Sequence, residues 1–310
     1  AKTLDAFIYR WANSEHYQQI AHAIFPVIEQ GYKVKCFPNY ATCWHYDDKV
    51  KQSLMLKAHN FPTCDAFVSW NLKDALEWAE TAELPQVFKL KAGSGSMNVK
   101  LVKDRSKLIS LTKKMFNSGI NPEKRDFYHT AKTFNFDPRT IFRFYAIKFR
   151  NRYIRREDYM WSNERNYAYF QKFMPKNEYD TRVQITGERA YAFIRYNRPN
   201  DFRASGSNNW SLDKDKIDME MVKIAFEVSK YFGFQSMAYD FVYDENKKPA
   251  IVEISYCFGD YPEFSTGYWD TNLVWHEGRF MPQYFELVDL LNMPELKLPD
   301  HILPVSSYKK

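Results

Sequence analysis

The stretch from Met237 to Tyr256, MAYDFVYDENKKPAIVEISY, constrains this chain more than any other. Two runs rich in aromatic and β-branched residues flank a polar turn at Asp244–Pro249, the pattern of a β-hairpin. With the turn centred between Asn246 and Lys247, Asp240 is predicted to lie opposite Glu253. Side chains alternate across a strand, so Asp240, Glu253 and Ser255 share one face. Tyr239, Phe241, Tyr243, Val252, Ile254 and Tyr256 take the other, which is expected to meet a core. Two opposed carboxylates repel unless something positive sits between them, and no cation is expected on the neighbouring strand positions. The pair is therefore a candidate for a hard cation such as Mg²⁺, which takes one or two carboxylates plus phosphate oxygens. The bland alternative is a solvated acidic pair.

The rest of the chain decides how much weight that pair carries. Its 310 residues suffice for two or three lobes, and its net charge of +6 is compatible with a polyanionic substrate without being a nucleic-acid signature. No apolar run approaches the ~18 residues that span a bilayer, no signal-peptide pattern opens the sequence, and the four cysteines have no CxxC spacing. A cytoplasmic protein with reduced thiols and no nucleic-acid partner is expected. In order, the pattern predicts a strand at Asp5–Tyr9, a helix at Ser14–Gln30 capped by Gly31 and a strand at Tyr32–Phe37, a βαβ-like fragment. A helix from Asp48 to His59 carries Lys49 in its first turn, where the dipole prefers anions; such a lysine is either an ordinary surface group or part of a phosphate site. Strands at Thr63–Val68, Gln86–Lys91 and Asn98–Val102 and helices at Leu72–Ala82 and Ser106–Phe116 follow.

Lys89 enters the loop Gly93-Ser94-Gly95-Ser96, which joins two strands and is therefore neither a Walker loop nor a dinucleotide fingerprint. Its amides and hydroxyls can fold over phosphates, or it can be a plain glycine hairpin. Asn117–Arg165 interleaves basic and aromatic residues; it reads as a polar insertion or as a grip on a carbohydrate or polyanion. A strand at Tyr169–Met174, a hairpin around Gly187 and a helix at Ile217–Phe232 complete the frame, followed by an aromatic tail with a helix at Pro282–Leu291. Arg195, Arg198 and Arg203 punctuate one loop, and their forks suit phosphate oxygens.

This order of parts over Asp47–Tyr256 resembles the ATP-grasp superfamily, closest to glutathione synthetase and the ribosomal-protein glutamate ligases. The resemblance implies an α/β fold of α+β lobes with the nucleotide held between two lobes and a truncated N-terminal α/β domain. The expected divisions are 1–46 for that fragment, 47–170 for a lid lobe with the insertion, 171–292 for a C-terminal lobe with the metal site, and a tail at 293–310. It further implies that Lys49 and Lys89 bind phosphate, that Gly93–Ser96 covers the triphosphate and that Gln171, Lys172 and Phe173 meet the adenine edge. Asp180 would meet the nucleoside end, Arg182 and Arg203 the γ-phosphate and acyl-phosphate, and Asp240 and Glu253 the magnesium, with Ser255 a further oxygen. Two departures stand out. Lys89-Leu-Lys91 replaces the family's Lys-Pro, and Glu253-Ile-Ser255 replaces Glu-x-Asn, so one magnesium is more secure than two. The activity implied is an ATP- and Mg²⁺-dependent ligase joining a small-molecule or glycan carboxylate to an amine, such as a uronic acid of a surface polysaccharide to an amino acid. A kinase on the same fold and a nucleotide-binding module without turnover are the alternatives.

Overall fold

The structure is a computed structural model and describes residues 4–11, 13–93, 95–96, 98–122, 162–259 and 265–297. Ser94, most of the Asn117–Arg165 segment and the end of the tail lie outside these residues. The described elements are, in order, β1 (Ala6–Ile8), α1 (Glu15–Pro26), β2 (Lys35–Phe37), α2 (Tyr40–Cys43), α3 (Lys49–Ala58), β3 (Ala66–Ser69), α4 (Leu72–Thr81), β4 (Gln86–Phe88), β5 (Lys100–Val102) and α5 (Arg105–Phe116). After the gap come β6 (Ala168–Lys172), β7 (Tyr179–Thr186), β8 (Arg189–Tyr196), β9 (Trp210–Ser211), α6 (Met219–Phe232), β10 (Ser236–Tyr243), β11 (Pro249–Ser255), β12 (Gly267–Asp270), β13 (Trp275–Glu277) and α7 (Pro282–Leu291). The described residues form two compact units. One gathers 4–11, 20–64 and 174–297; the other holds 13–19 and the described part of 65–173.

The larger unit is built on an antiparallel sheet in the order β11-β10-β7-β8-β12-β13, with β9 also on β8. One face carries Val183, Ile185, Tyr239 and Phe241, all fully buried. Against β7 and β10 packs α6, whose Met221, Val222, Ala225 and Val228 recur at helical spacing and are buried. The Ser229 hydroxyl lies 2.6 Å from the Tyr239 hydroxyl, which satisfies both polar groups inside this core. Asp218 caps α6 by accepting from the Glu220 amide, and Gly233 ends it in the left-handed region at φ 67°.

The hairpin pairs Asp240 with Glu253 as the sequence predicts, but a one-residue bulge follows. Phe241 faces Ile251, and Val252 is the extra residue. Ile251 is therefore buried in the core where Val252 was expected, and Val252 is only half-buried. In the N-terminal fragment β1 and β2 pair in parallel. The α-helix stops at Pro26, whose missing N–H breaks the ladder, and a π-turn at Val27–Gly31 carries the chain on. The left-handed residue that follows is Lys33, at φ 56°, and not the expected cap Gly31. Residues 47–64 group with this unit rather than with the lid lobe: α3 packs on β11, and the Cys64 amide donates to the Ile251 carbonyl.

The smaller unit has the antiparallel sheet β3-β6-β4-β5 with α4 and α5 packed together beside it. Asn71 and Asp104 cap the two helices. Phe67 stacks on Trp78 at 4.0 Å, and Trp78 and Phe88 both meet Phe170. Among the described residues no helix is long and apolar enough to cross a membrane.

The β7–β8 turn turns on Gly187, at φ 57°, where an added Cβ would stand 2.1 Å from Asp289 Oδ2. Asp289 accepts from Arg189 at 3.0 Å and can move aside, whereas the backbone cannot. Gly187→Ala is expected to lower stability by about 1–2 kcal/mol through the left-handed backbone alone. Urea denaturation checks this, and Asp289→Ala should not rescue the loss.

Candidate active site

The sheet face opposite α6 is where the charges collect. Register sets Glu253 beside Asp240 and Asp240 beside Arg182 on three adjacent strands, β11, β10 and β7. Asp180 and Gln184 flank Arg182 on the same face of β7, and Arg195 on β8 faces Asp180. The guanidinium of Arg182 grips Asp240 with a fork, Nε to Oδ1 at 2.7 Å and Nη2 to Oδ2 at 2.8 Å. Arg195 straddles two acids: Nε donates to Asp180 Oδ1 at 2.6 Å, and Nη2 lies 2.7 Å from Asp180 Oδ2 and 2.8 Å from Asp240 Oδ2. This corrects the sequence-based expectation that no cation neighbours the acidic pair. The strand order, which the sequence does not reveal, brings Arg182 directly alongside.

Burial opposes the charge on Asp240, but Arg182 and Arg195 overcome it and hold this carboxyl well below the usual range. Asp180 moves the other way. Its burial, with the nearby Asp240 charge, outweighs the attraction of Arg195 and raises its carboxyl. Arg195 stays charged, because the two acids more than offset its burial.

Lys49 opens α3, with Asp48 capping the helix through the amides of Val50 and Lys51. Its ammonium is buried, at 5% exposure for the residue, and lies 3.2 Å from Glu253 Oε1. Each member of the predicted metal pair thus has a cation beside it, so without a metal the two carboxylates do not weaken the hairpin by facing each other bare. The Ser255 hydroxyl donates to the Cys257 carbonyl at 3.2 Å. No group of three or more His, Cys, Asp or Glu side chains among the described residues could cage a metal. Two carboxylates with a serine oxygen nearby suit a magnesium ion that arrives on phosphate oxygens, not one held by protein alone. The fork of Arg203 closes on Asp201, with Nη2 to Oδ2 at 2.6 Å, and that pairing keeps Asp201 charged against its burial.

In the smaller unit Lys89 and Gln171 come together. Lys89 Nζ donates to Gln171 Oε1 at 2.5 Å, and both residues are buried. Gln171 and Lys172 lie on β6, which pairs with β3 and β4 on its two edges, and the Lys172 amide donates to the Asp65 carbonyl at 2.7 Å; Phe173 follows directly. Gly93, Gly95 and Ser96 take positive φ angles of 113°, 64° and 60°. Sequence reasoning missed Glu164, a buried acid that accepts from the backbone at Lys91 and Ala92. It also assigned no role to Arg195 beyond the loop, although Arg195 lies within β8. The signal available for Arg195 was an arginine continuing the alternate row Tyr191, Phe193 of the strand.

Comparison with solved structures gives biotin carboxylase from Campylobacter jejuni, in its β,γ-ATP complex, at 13% identity over 83% of this chain and 49% of that one, with a TM-score of 0.51. The macrocyclase MdnC from Microcystis aeruginosa, bound with the precursor peptide MdnA, matches at 13% identity over 94% and 79%, with a TM-score of 0.50. D-alanine–D-alanine ligase from Bacillus anthracis matches at 12% identity over 94% and 80%, with a TM-score of 0.49. The chain spans about half the length of the biotin carboxylase. No family model matches the sequence, and no curated protein matches it. The likeness is one of architecture: the chain has the ATP-grasp fold.

Asp240→Asn tests the charge network. Removing one partner of a buried ion pair costs about 3–5 kcal/mol, here because two guanidiniums lose their shared carboxylate. Since the folded state depresses the Asp240 carboxyl, its contribution is complete above the unfolded value of about 3.9 and is lost as pH falls toward the folded one. The stability gap between wild type and Asp240→Asn should therefore narrow as pH is lowered from about 5 to about 2. Urea melts at several pH values would read it, and a gap constant with pH would contradict the assignment.

Proposed function

We propose that the chain is an ATP-dependent ligase that joins a carboxylate to an amine and releases ADP and phosphate. The observation that carries this reading is the row of Glu253, Asp240 and Arg182 on adjacent strands, with Lys49 and Arg195 against its acids, in a chain with the ATP-grasp fold. A solvated acidic pair would not be flanked by a buried lysine and two arginines.

The chemistry assigned to the site begins with attack of the substrate carboxylate on the γ-phosphorus of ATP. The bond from that phosphorus to the β-phosphate bridging oxygen breaks, ADP leaves, and an acyl-phosphate forms. An amine nitrogen then attacks the acyl carbon, the bond to the phosphate oxygen breaks, and phosphate departs with the electron pair as the nitrogen loses a proton. Negative charge spreads over the transferring phosphoryl oxygens, so fixed cations do most of the catalytic work. Arg182 spends its Nε and Nη2 on Asp240 and keeps further N–H donors for an anion. Lys49 is placed at a helix N-terminus, where dipole and ammonium act together on phosphate. Arg203 is assigned to the acyl-phosphate. In the smaller unit Lys89 is assigned to phosphate, Gly93–Ser96 to the triphosphate, and Gln171, Lys172 and Phe173 to the adenine. Asp180 is assigned to the nucleoside end. Magnesium bound with ATP would be held by Asp240 and Glu253 with Ser255 beside them, and would supply positive charge to the phosphate oxygens.

The acceptor class is a carboxylate on a small molecule or glycan, a uronic acid joined to an amino acid being the finer form. The test is turnover of ATP with a panel of acids and amines, read by mass spectrometry and a phosphate assay. A peptide belongs in that panel, because the macrocyclase MdnC of the same fold is bound with a precursor peptide. ADP, free phosphate and an amide are expected in equal amounts. ADP with a phosphoester and no free phosphate would make the chain a kinase instead. Lys89→Ala is expected to weaken ATP binding by about 1.5–3 kcal/mol, the worth of a hydrogen bond to a charged group. Unchanged affinity by calorimetry would take Lys89 out of the site.

A further inference from the structure

The segment that leaves β4 poses a hydrogen-bonding problem. The strand ends at Phe88, yet Lys89, Leu90 and Ala92 remain buried, at 6%, 1% and 7% exposure. Backbone amides that leave a ladder inside a protein need new acceptors, or each costs about 1–3 kcal/mol. Glu164 supplies them. Its Oε2 accepts from the Lys91 amide and its Oε1 from the Ala92 amide, both at 3.1 Å. The Tyr167 hydroxyl donates to Oε2 and also lies 2.9 Å from the Lys91 amide, while the Lys91 ammonium sits 5.9 Å above the Tyr167 ring.

Glu164 is itself held rigidly. Its amide and carbonyl both bond Ile120 at 3.0 Å, and an added Cβ on Gly119 would stand 2.4 Å from the Glu164 carbonyl, so only glycine permits the approach. A carboxylate is a costly choice for this task. Burial raises its carboxyl, and the bonds from Tyr167 and the Ala92 amide only partly offset that. The amides it holds lie two and three residues beyond Lys89 and immediately before Gly93.

We propose that Glu164 is a positioning residue for nucleotide binding: by gripping the Lys91 and Ala92 amides it fixes the backbone that carries Lys89 and opens the Gly/Ser loop. This rests on the assignment of Lys89 and the loop to phosphate.

Two measurements separate that assignment from the grip. Trypsin cleaves after lysine, so the rate of cutting between Lys91 and Ala92 reports whether the backbone there is held. Calorimetry with Mg-ATP reports the nucleotide. Glu164→Ala should speed cutting at that bond by about tenfold or more and weaken Mg-ATP binding by about tenfold, with Glu164→Gln in between because it keeps one acceptor oxygen. Should Glu164→Ala fail to fold, Tyr167→Phe, which removes one donor to the carboxylate, should shift both readings in the same direction by a smaller factor. Unchanged cutting in a folded Glu164→Ala overturns the grip. Faster cutting with unchanged Mg-ATP affinity overturns the positioning role and leaves a structural one. Wild type that binds no Mg-ATP sinks the assignment to phosphate, a result read without any variant.

Discussion

Arg195 is the group on which the charged face of the large sheet depends. It stands on β8, beside β7, and one of its nitrogens serves acids from two other strands, Asp180 on β7 and Asp240 on β10. Take its charge away and Asp180 and Asp240 would be left with only Arg182 between them. Arg182 is already committed to Asp240 by a two-pronged fork. Each charge in the network has an opposite one beside it: Lys49 with Glu253, Arg182 with Asp240, and Arg195 with both Asp240 and Asp180. Pairing of this kind lets several charges share one sheet face, because each has opposite charge within reach.

The same sheet has two chemistries on its two faces, and period-two alternation makes both from one set of strands. Val183 and Ile185 lie on the face toward α6, while Asp180, Arg182 and Gln184, which alternate with them, lie on the other. Tyr239 and Phe241 go to the core, and Asp240 between them goes to the charges. The bulge after Asp240 matters here. It restores Ile251 to the core after the register has set Asp240 against Glu253, so that one strand meets both demands. The smaller unit solves a related problem with side chains. Gln171 answers the Lys89 ammonium, and Glu164 answers amides that the sheet no longer serves.

What could be read ahead of the structure follows from which patterns are local. The pairing of Asp240 with Glu253 was legible because the turn between them is short and polar, and so were α6 and α7 from Pro282. The bulge at Val252 was not, since a bulge leaves the hydrophobic pattern nearly intact on both sides. Arg182 was identified as an anion-binding candidate but not as the neighbour of Asp240, because strand order is a long-range property that alternation within one strand does not encode. Lys49 attracted notice for its odd place in a helix's first turn, and its partner Glu253 lies some two hundred residues on. Glu164 escaped notice altogether. It sits at the edge of a stretch crowded with charges and aromatics, and only its burial, a tertiary fact, separates it from them.

Stability alone is a poor explanation for this arrangement. Buried ion pairs repay their desolvation only when geometry is good, and well-packed apolar residues of similar volume often do as well or better. The core face of the same strands shows that this chain packs apolar side chains against a helix without difficulty. A chain free to choose would have little reason to put three carboxylates and two arginines on the other face, with a buried lysine of α3 against them. Neither sign is fully spent on pairing: Arg182 engages Asp240 through only two of its nitrogens, and Glu253 remains a third exposed beside the buried Lys49. The groups that retain open valence, Arg182 and Glu253, are among those proposed above to meet phosphate and its counter-ion, while the group most deeply committed, Arg195, holds Asp180 and Asp240.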